Sequence, residues 1–574
     1  MASLSSLLSL FPCIRSKNQS SSRGNRRLGL SYIPCRASNG VQTPMNSNPQ
    51  EGDSMSKFDR RDVLFGLGGL YSAAALGRDR SALADPISPD VIHCEPITLE
   101  ADEKVDCCPP SILDITDFVP PAVENLRVRP AAHLITQEQL AKLEEAVTKM
   151  KALDPDDPRN FYQQARVHCA YCNDAYKQDG FPELDFDIHW NWLFFPFHRC
   201  YLYFHERILG SLINDPDFAI PFWNWDAIPG MQMPAIYIND DKNSPLYDEL
   251  RDPNHKPPKL LDLNYDGATE DPSYDVLFCN PRLMYRQMVI NSKTAEGFHG
   301  KPLRAGQEAY RTGMGSIELS AHNNVHTWSG DPQQKYREDM GHFYAAARDP
   351  LFYAHHANVD RMWTIWQGLI DGKSRDFTDP DWLNASFVFY DENKNAIRIK
   401  VQDCLDNEKL GYKYQAVEIP WLHTKPIPRQ KTSQLKSSKA QETPPIEVLN
   451  SKMTKEVKRP QRSRSKTQKS VEDEVLVIEM ELDTTSRVHF NVLVNVLDDG
   501  TDVSPGNTEF AGSFKSIPLG HKHRANTSLS LVITELIEEL GYDDDETVFV
   551  TIDPKLGGDL VTIGGIKIEL QPIN

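Results

Sequence analysis

Six histidines fall into two groups of three in the middle of this 574-residue chain. The first group is His168, His189 and His198, and the second is His322, His326 and His356. All six lie in apolar and aromatic segments that are typical of a protein core, where a polar ring needs a partner. The fold must therefore bring several buried imidazoles together, and this requirement limits what the chain can become.

The spacing within the second group indicates helices. His322 and His326 are four residues apart, so on a helix both rings project from one face. His356 comes from the following segment, which we expect to be a second helix, and we expect two further helices to carry the first group. Three neutral imidazoles at each of two metals suit copper. Zinc is less favoured, because no glutamate follows His322 as in a metalloprotease and no cysteine cluster indicates a structural site.

The first part of the chain carries two targeting signals. Residues 1–37 fall within a stretch of 50 residues that is rich in serine and arginine and contains no acidic residue, which is typical of a chloroplast transit peptide. In residues 38–84, the pair Arg60-Arg61 precedes an apolar run and then Ala82-Leu83-Ala84, as in a twin-arginine transfer signal. The run is too short to span a membrane, which takes about 20 residues. We expect import into the chloroplast and transfer to the thylakoid lumen.

The rest of the chain divides by composition into three parts. Residues 85–422 predict a mainly helical, loop-rich catalytic domain, with a helical bundle that holds the histidines. Residues 423–470 are basic and polar, which predicts a flexible linker. Residues 471–574 contain β-branched runs separated by turns, which predict a small all-β, sandwich-like domain. The net charge of -19 argues against a nucleic-acid partner.

Two local patterns predict helices before the first histidine group. Thr136 and Gln139 form a capping-box signature, followed by an apolar face. That face comprises Leu140, Leu143, Val147 and Met150. The next helix should carry His168, and Pro196 should bend a later helix or mark its beginning.

Cysteines cluster near the start of the predicted mature chain. Cys107 and Cys108 are adjacent and can hardly pair with each other, so two bridges among these two, Cys94 and Cys169 would attach the N-terminal arm to the segment of His168. Such bridges require an oxidising compartment. The residues alone do not decide which cysteines pair.

Several longer motifs resemble the plant polyphenol oxidases, the catechol oxidase and tyrosinase family. They are Phe197-His-Arg199, Pro221-Phe-Trp-Asn-Trp-Asp226, His322-Asn-Asn-Val-His326, His355-His-Ala-Asn-Val-Asp-Arg-Met-Trp363, Cys107-Cys-Pro-Pro110, Asp379-Pro-Asp-Trp-Leu383 and Tyr412-Lys-Tyr414. The resemblance extends over essentially the whole chain.

The resemblance implies a type-3 centre of two copper ions, one held by each histidine group. It implies the disulfides Cys94–Cys108 and Cys107–Cys169, and a thioether from Cys172 to His189, with a buried free thiol as the alternative. By family spacing His356 is the ligand, and its neighbour His355 supports the ligands.

The resemblance also suggests roles for residues around the metals. Phe343 occupies the position of a gate for the substrate ring, with an ordinary core position as the alternative. Glu318 and Asn323 match a pair that orients a water, and this water would help to deprotonate a monophenol. Asp360 is expected either to support a ligand or to form a surface salt bridge with Arg361.

The implied activity is the oxidation of o-diphenols to o-quinones with reduction of dioxygen to water, and monophenol hydroxylation is a possible second activity. The β domain should cover the site, with the loop Ile517-Pro518-Leu519 as a candidate plug. A protease that cuts the basic linker would then activate the enzyme, unless the linker is only a passive tether. The alternatives are a specialised oxidase of chalcones or lignans, and a dioxygen carrier like the hemocyanins.

Overall fold

The fold is described from a computed structural model of the chain. The described residues are 85–99, 103–110, 114–238, 241–268, 271–369, 375–429, 447–496, 502–519 and 524–573. They all belong to one compact unit. The two predicted targeting segments, 1–37 and 38–84, lie outside the described residues.

Helices dominate the part of the chain that holds the histidines. The α-helices are α1 (Gln137–Lys151), α2 (Phe161–Cys172), α3 (Phe194–Leu212), α4 (Val276–Tyr285), α5 (Ala295–His299), α6 (Asn323–Ser329), α7 (Phe343–Ala346), α8 (Leu351–Gly368), α9 (Pro380–Asn384), α10 (Lys466–Lys469) and α11 (Thr534–Leu540). Two π-helical turns, Arg286–Ile290 and Glu318–His322, follow α4 and precede α6. Short 3-10 turns occur at Ala132–Leu134, Ile228–Gly230, Ala235–Tyr237, Pro253–His255, Ala309–Arg311, Val401–Asp403, Pro420–His423 and Gly558–Leu560. Among the described helices, none has both the length and the apolar character needed to cross a bilayer.

Short strands brace the helical part, and longer strands build the C-terminal part. The strands are β1 (Pro89–Cys94), β2 (Ile97–Thr98), β3 (Lys104–Val105), β4 (Ile115–Asp117), β5 (Arg127–Arg129), β6 (Tyr176–Gln178), β7 (Phe181–Asp185), β8 (Ser386–Tyr390), β9 (Ala396–Lys400), β10 (Tyr412–Tyr414), β11 (Glu447–Val448), β12 (Met453–Lys458), β13 (Glu472–Asp483), β14 (His489–Val494), β15 (Phe510–Lys515), β16 (Arg524–Val532), β17 (Thr547–Leu556) and β18 (Val561–Pro572).

The local helix signals are confirmed. The Thr136 hydroxyl accepts from the Gln139 amide at 3.2 Å, and the Gln139 side chain accepts from the Thr136 amide at 3.0 Å, so both sides of the capping box are formed. Helix α2 carries His168, as predicted. Pro196 lies in the first turn of α3, where its missing N–H costs no helical hydrogen bond, so it marks the beginning of that helix.

The C-terminal part is a sandwich of two four-stranded sheets. Their strand orders are β11-β18-β13-β16 and β12-β17-β14-β15, and all of these pairs are antiparallel. The expected architecture, a mainly helical domain followed by a small all-β domain, is confirmed.

The β domain begins earlier than the sequence predicted. Residues 447–458, which we placed in a flexible linker, form β11 and β12 and pair with β18 and β17. The prediction was wrong there because Met453 and Val457 share the inner face of a strand whose exposure alternates, and the intervening polar residues and the basic composition obscured that pattern. Residues 430–446 of the predicted linker lie outside the described residues.

A buried ionic cluster joins α3, α8 and the edge strands β5 and β10. Asp360 on α8 accepts from Arg199 at 2.5 Å, from Arg129 at 3.2 Å and from the Tyr412 hydroxyl at 2.6 Å, and the Tyr414 hydroxyl also donates to it. Burial alone would raise the pKa of Asp360, but the two guanidinium groups outweigh it and lower that pKa. The carboxylate is therefore charged and joins segments that are distant in sequence.

This cluster rules out the expected salt bridge of Asp360 with Arg361 and shows that Asp360 supports the ligands only indirectly, through Arg199. The carboxylate contacts Arg199, whose neighbour in the chain is His198, and its hydrogen bonds go to arginines and tyrosines rather than to an imidazole. Arg361 pairs instead with Asp226 at 3.0 Å. Asp360 thus positions the helix that carries His198.

The substitution Asp360→Asn should destabilise the protein strongly. It keeps the shape of the side chain but leaves two buried arginines without their shared charge, and breaking a buried pair costs about 3–5 kcal/mol. We expect a fall of roughly 5 °C or more in melting temperature, measured by calorimetry. The control is Asp117→Asn, which removes an exposed pair with Arg398. Equal melting temperatures for the two variants would contradict this account.

Candidate metal centre

The first histidine group comes from two helices and one loop. His168 lies on α2 and His198 on α3, whereas His189 lies in the irregular segment between β7 and α3. The expectation that two helices carry the whole group was therefore wrong for His189. The nitrogen atoms that the three rings offer lie within 4.8 Å of one another, and all three side chains are buried.

The second group follows the predicted helical arrangement. His322 is the last residue of the π-helical turn Glu318–His322, and His326 follows on α6. His356 projects from α8. The ring centres of His322 and His326 are 4.6 Å apart, and each lies about as close to His356, at 5.0 and 5.3 Å.

The two groups face each other directly. The ring of His198 stacks on that of His356, with centres 4.1 Å apart and planes 19° apart. The rings of His189 and His322 are 6.1 Å apart. One buried space is therefore lined by both groups.

Backbone carbonyls orient three of the rings. His168, His198 and His326 each place Nδ1 against a carbonyl, those of Phe343, Phe194 and Met340, at 3.1, 2.8 and 2.7 Å. A carbonyl only accepts, so Nδ1 carries the proton and Nε2 keeps its lone pair. The Nε2 atoms of His168 and His198 have no hydrogen-bond partner among the described residues. This is the tautomer that a metal ligand requires.

The remaining rings are held by side chains and by the backbone. His322 donates from Nδ1 to the Asn323 side-chain oxygen at 2.9 Å. The backbone amide of His189 donates to Asp187 at 2.7 Å. The Nε2 atoms of His326 and His356 lie 3.2 Å apart, so these two atoms face the same point.

Burial keeps these rings neutral. It lowers the pKa of His198 to about 3 and that of His326 to about 4, and it lowers those of the other four well below the ordinary value. Six neutral imidazoles, several with unpartnered nitrogens, fit a pair of copper ions well, because copper accepts imidazole lone pairs and needs no charged ligand.

His355 has a different environment from its neighbour His356. The indole N–H of Trp225 donates to His355 Nδ1 at 3.1 Å. The ring proton of a neutral His355 must then reside on Nε2, which removes the lone pair that a metal would need. The ring stacks near His322, with centres 5.4 Å apart, so His355 packs beside the ligands.

The cysteines near the site are arranged as two bridges and one thiol. Disulfides join Cys94 to Cys108 and Cys107 to Cys169, and the second of these holds the residue next to His168. Cys172 is a buried free cysteine in this structure, and burial raises the pKa of its thiol. The thioether to His189 stays a prediction.

Phe343 closes one wall of the buried space. Its ring stacks on His189 with centres 3.8 Å apart, and its carbonyl anchors His168. The ring centres of His322 and His326 lie 6.3 and 6.1 Å from it. Phe343 thus lies between the two groups and packs most closely against the first.

Glu318 and Asn323 lie on one continuous helical segment beside the rings. Glu318 accepts from the Trp190 amide at 2.7 Å through Oε1, while Oε2 has no partner among the described residues. Burial raises the pKa of Glu318 well above its ordinary range. The amide nitrogen of Asn323 donates to the Lys515 carbonyl of β15 at 2.7 Å. The β domain therefore occupies the hydrogen-bonding capacity of Asn323.

Sequence reasoning missed Trp225 and Asp187. Trp225 lies in the segment Pro221–Asp226, which was recognised as a family motif without a role for its indole. Asp187 stands two residues before His189, where an aspartate can accept from the backbone amide two residues later. That spacing could have indicated how the loop of His189 is held.

Comparisons with known proteins agree with this geometry. The chain matches the common central domain of tyrosinase over residues 158–369, the polyphenol oxidase middle domain over 376–427 and the chloroplastic polyphenol oxidase C-terminal domain over 445–570. It is 50% identical to "Polyphenol oxidase, chloroplastic" of Malus domestica, with 96% of this chain and 95% of that protein covered.

Two solved structures are similar as well. The structure of latent apple tyrosinase superimposes with a TM-score of 0.74 and 52% identity, covering 80% of this chain and all of that one. Latent aurone synthase superimposes with a TM-score of 0.81 and 41% identity, covering 86% of this chain and all of that one. The chain belongs to the plant polyphenol oxidase family, with the central domain of the tyrosinases.

Proposed function

We propose that this protein is a copper-dependent oxidase that converts o-diphenols to o-quinones and reduces dioxygen to water. The observation that carries the proposal is the pair of facing histidine groups, with neutral rings whose Nε2 atoms face one buried space. Over a full cycle, two diphenols lose two electrons and two protons each, and one dioxygen takes them up to form two waters. A dioxygen carrier would use similar ligands, but the family relationship favours the oxidase.

The proposed ligands are His168, His189 and His198 for one copper and His322, His326 and His356 for the other. When bound, the two coppers would supply the electron transfer between diphenol and dioxygen. The residues of the chain orient the ligand rings and the substrate, and they exclude water. The carbonyl-anchored rings keep their lone pairs aimed inward, and the stacked ring of Phe343 keeps water from the space and would guide a flat substrate ring.

The β domain supports a latent form. β15 lies over the site, with the Lys515 carbonyl on Asn323 and the ring of Phe514 edge-on to Trp190, at 6.1 Å between centres. Ile517 and Leu519 in the predicted plug segment are buried. We propose that a protease which cuts between residues 430 and 446 releases this cover, since that stretch carries several lysines.

Oxygen uptake before and after limited proteolysis tests the function. Copper-loaded full-length protein should consume little oxygen with 4-methylcatechol, and cleavage should raise the rate at least tenfold because the cover leaves the site. No uptake from cleaved protein that still holds two coppers per chain would contradict the oxidase and support a dioxygen carrier.

Adjacent histidines provide a matched test of the ligand set. His356→Ala should reduce the copper content from two ions to one per chain and abolish uptake, because it removes a lone pair from the centre. His355→Ala should keep both ions, with activity lower by about 10–100-fold as for lost supporting contacts. Copper content is measured by atomic absorption. The reverse pattern would make His355 the ligand.

We propose that Glu318, together with Asn323, assists the deprotonation of a monophenol through a bound water. The substitution Glu318→Gln keeps an oxygen for the Trp190 amide but removes the group that could take up a proton. Uptake with tyramine should fall by about 100-fold or more, while uptake with 4-methylcatechol changes less than threefold. Equal losses for both substrates would contradict a role specific to monophenols.

The protein is chloroplastic, in line with its relatives, and we further propose the thylakoid lumen as its compartment. The twin-arginine signature supports this, and the two disulfides of the N-terminal arm suit an oxidising space. We also propose the thioether between Cys172 and His189, which would fix the loop ligand that lacks a helix. Mass spectrometry of the peptides would detect the cross-link as a loss of two hydrogens.

A specialised biosynthetic oxidase is the second candidate. It is favoured by the close superposition on a structure named latent aurone synthase. The same oxygen assay with a chalcone beside 4-methylcatechol separates the two, since a specialised enzyme should prefer the chalcone by kcat/KM.

A further inference from the structure

The loop that carries His189 is not fixed by a helix of its own. Residues 186–193 form neither helix nor strand, yet the His189 side chain is fully buried within the first histidine group. The other five histidines of the two groups lie on helical segments. The position of His189 therefore depends on hydrogen bonds that reach its loop from other parts of the chain.

Trp190, the next residue, has an unfavourable backbone conformation. Its φ is 66°, in the left-handed region that a bulky side chain rarely adopts. Such a conformation persists only where the surrounding structure holds it. The Trp190 amide donates to Glu318 at 2.7 Å, and the Trp190 carbonyl accepts from the Thr312 hydroxyl at 2.6 Å. Both backbone groups of Trp190 are thus held by residues outside the loop.

The short turn Ala309–Arg311 holds the loop on the other side of His189. The Tyr310 hydroxyl lies between two carboxyl groups, 3.2 Å from that of Asp187 and hydrogen-bonded to that of Asp174. Asp187 in turn accepts from the His189 amide at 2.7 Å. The turn therefore reaches the ligand through one intervening carboxyl group.

Tyr310 and Thr312 thus hold the loop before and after His189, and we call these two residues the loop clamp. Both are buried, with 6% and 8% of their surface exposed. Hydrogen bonds in such a place are strong because the surroundings have a low dielectric constant. The Thr312 hydroxyl also lies 2.7 Å from the Ala309 carbonyl, so the turn itself orients this hydroxyl.

Two consecutive residues of β16 reach this region from the β domain. The Thr527 hydroxyl donates to the Thr312 carbonyl at 2.8 Å. The Ser528 hydroxyl accepts from the Lys301 side chain at 2.6 Å, and the Lys301 carbonyl accepts from the Trp192 amide at 3.0 Å. The β domain is therefore connected by short chains of hydrogen bonds to the residues that follow His189.

Resting on the ligand set proposed above, we infer that the loop clamp positions His189 as a copper ligand and that β16 braces the clamp. The β domain then helps to retain the copper of the first group, in addition to covering the centre. Loss of the contacts that orient a ligand typically weakens metal binding by about 10–100-fold. We expect the effect to fall on the first group, because helical segments position every ligand of the second.

Hydrogen exchange in the full-length protein, as purified, tests the clamp without reference to copper. Thr312→Val keeps the shape of the side chain but removes the hydroxyl that holds the Trp190 carbonyl. The peptide with residues 187–193 should then exchange roughly tenfold faster than in the parent, because the loop opens more often. Thr312→Ser retains a hydroxyl and should exchange at the parent rate. Equal exchange of this peptide in the two variants would overturn the inference.

Copper retention tests whether the clamp supports a ligand. Tyr310→Phe removes the hydroxyl between the two carboxyl groups, and dialysis of the copper-loaded protein against a chelator should release one copper roughly tenfold faster than in the parent. The ion that remains in the second group is a lone Cu²⁺ with an unpaired electron, so an EPR signal should appear as the first copper leaves. The control Tyr274→Phe removes a hydroxyl that donates to Asp262 at 2.9 Å, away from the histidines, and should retain both ions as the parent does.

A merely structural role for Tyr310 gives a different result. General destabilisation would act on both histidine groups, so the two coppers would leave together and no EPR signal of a lone ion would build up. That outcome, or equal retention by Tyr310→Phe and Tyr274→Phe, would overturn the inference. These readouts do not use oxidase activity, so they stand or fall separately from the proposed function.

A matched pair of threonines in the β domain tests the brace. Thr527→Val removes the hydrogen bond to the clamp, whereas Thr454→Val removes a hydroxyl contact with Thr551 inside the sandwich, at 2.8 Å. Release of the first copper should be several-fold faster in Thr527→Val and unchanged in Thr454→Val. Equal release from the two variants would show that β16 does not brace the clamp.

Discussion

Six uncharged imidazoles buried around one space are the constraint on which the rest of the structure depends. A buried ring is stabilised there when it is neutral and when its proton has an acceptor. Backbone carbonyls meet this need for His168, His198 and His326, and a carbonyl can fix the tautomer without adding charge. The neutral site is then prepared for a metal, because each anchored ring turns its lone pair inward. His355 differs from His356 in this respect, because the indole N–H of Trp225 donates to the Nδ1 lone pair of His355.

The helices that carry these rings are themselves fixed by charge in the interior. Asp360 and its two arginines tie α3 to α8 and to the edge strand β5, so the positions of His198 and His356 depend on one buried carboxylate. Such a cluster is expensive to bury and specific in geometry. It helps a loop-rich domain to hold the two ligand groups at short range.

The β sandwich acts on the site through few but direct contacts. The Lys515 carbonyl occupies Asn323 while the Lys515 side chain holds the loop of Tyr265. One residue of β15 therefore contacts both Asn323, beside the histidine groups, and the backbone of the loop that contains Tyr265.

The sequence by itself determined the two histidine groups, the helical pair of His322 and His326, the capping box of α1 and the two-part architecture, because these follow from periodicity and local chemistry. It misplaced His189 on a helix, the linker boundary and the partner of Asp360. Only the tertiary structure decided these three points. A ligand in a loop, such as His189, has no sequence period, and an alternating strand can be hidden by basic residues. A buried charge such as Asp360 is paired with groups that are distant in the chain. The facing of the two groups, with His198 stacked on His356, is likewise a product of packing between α3 and α8, for which no local pattern encodes the distance.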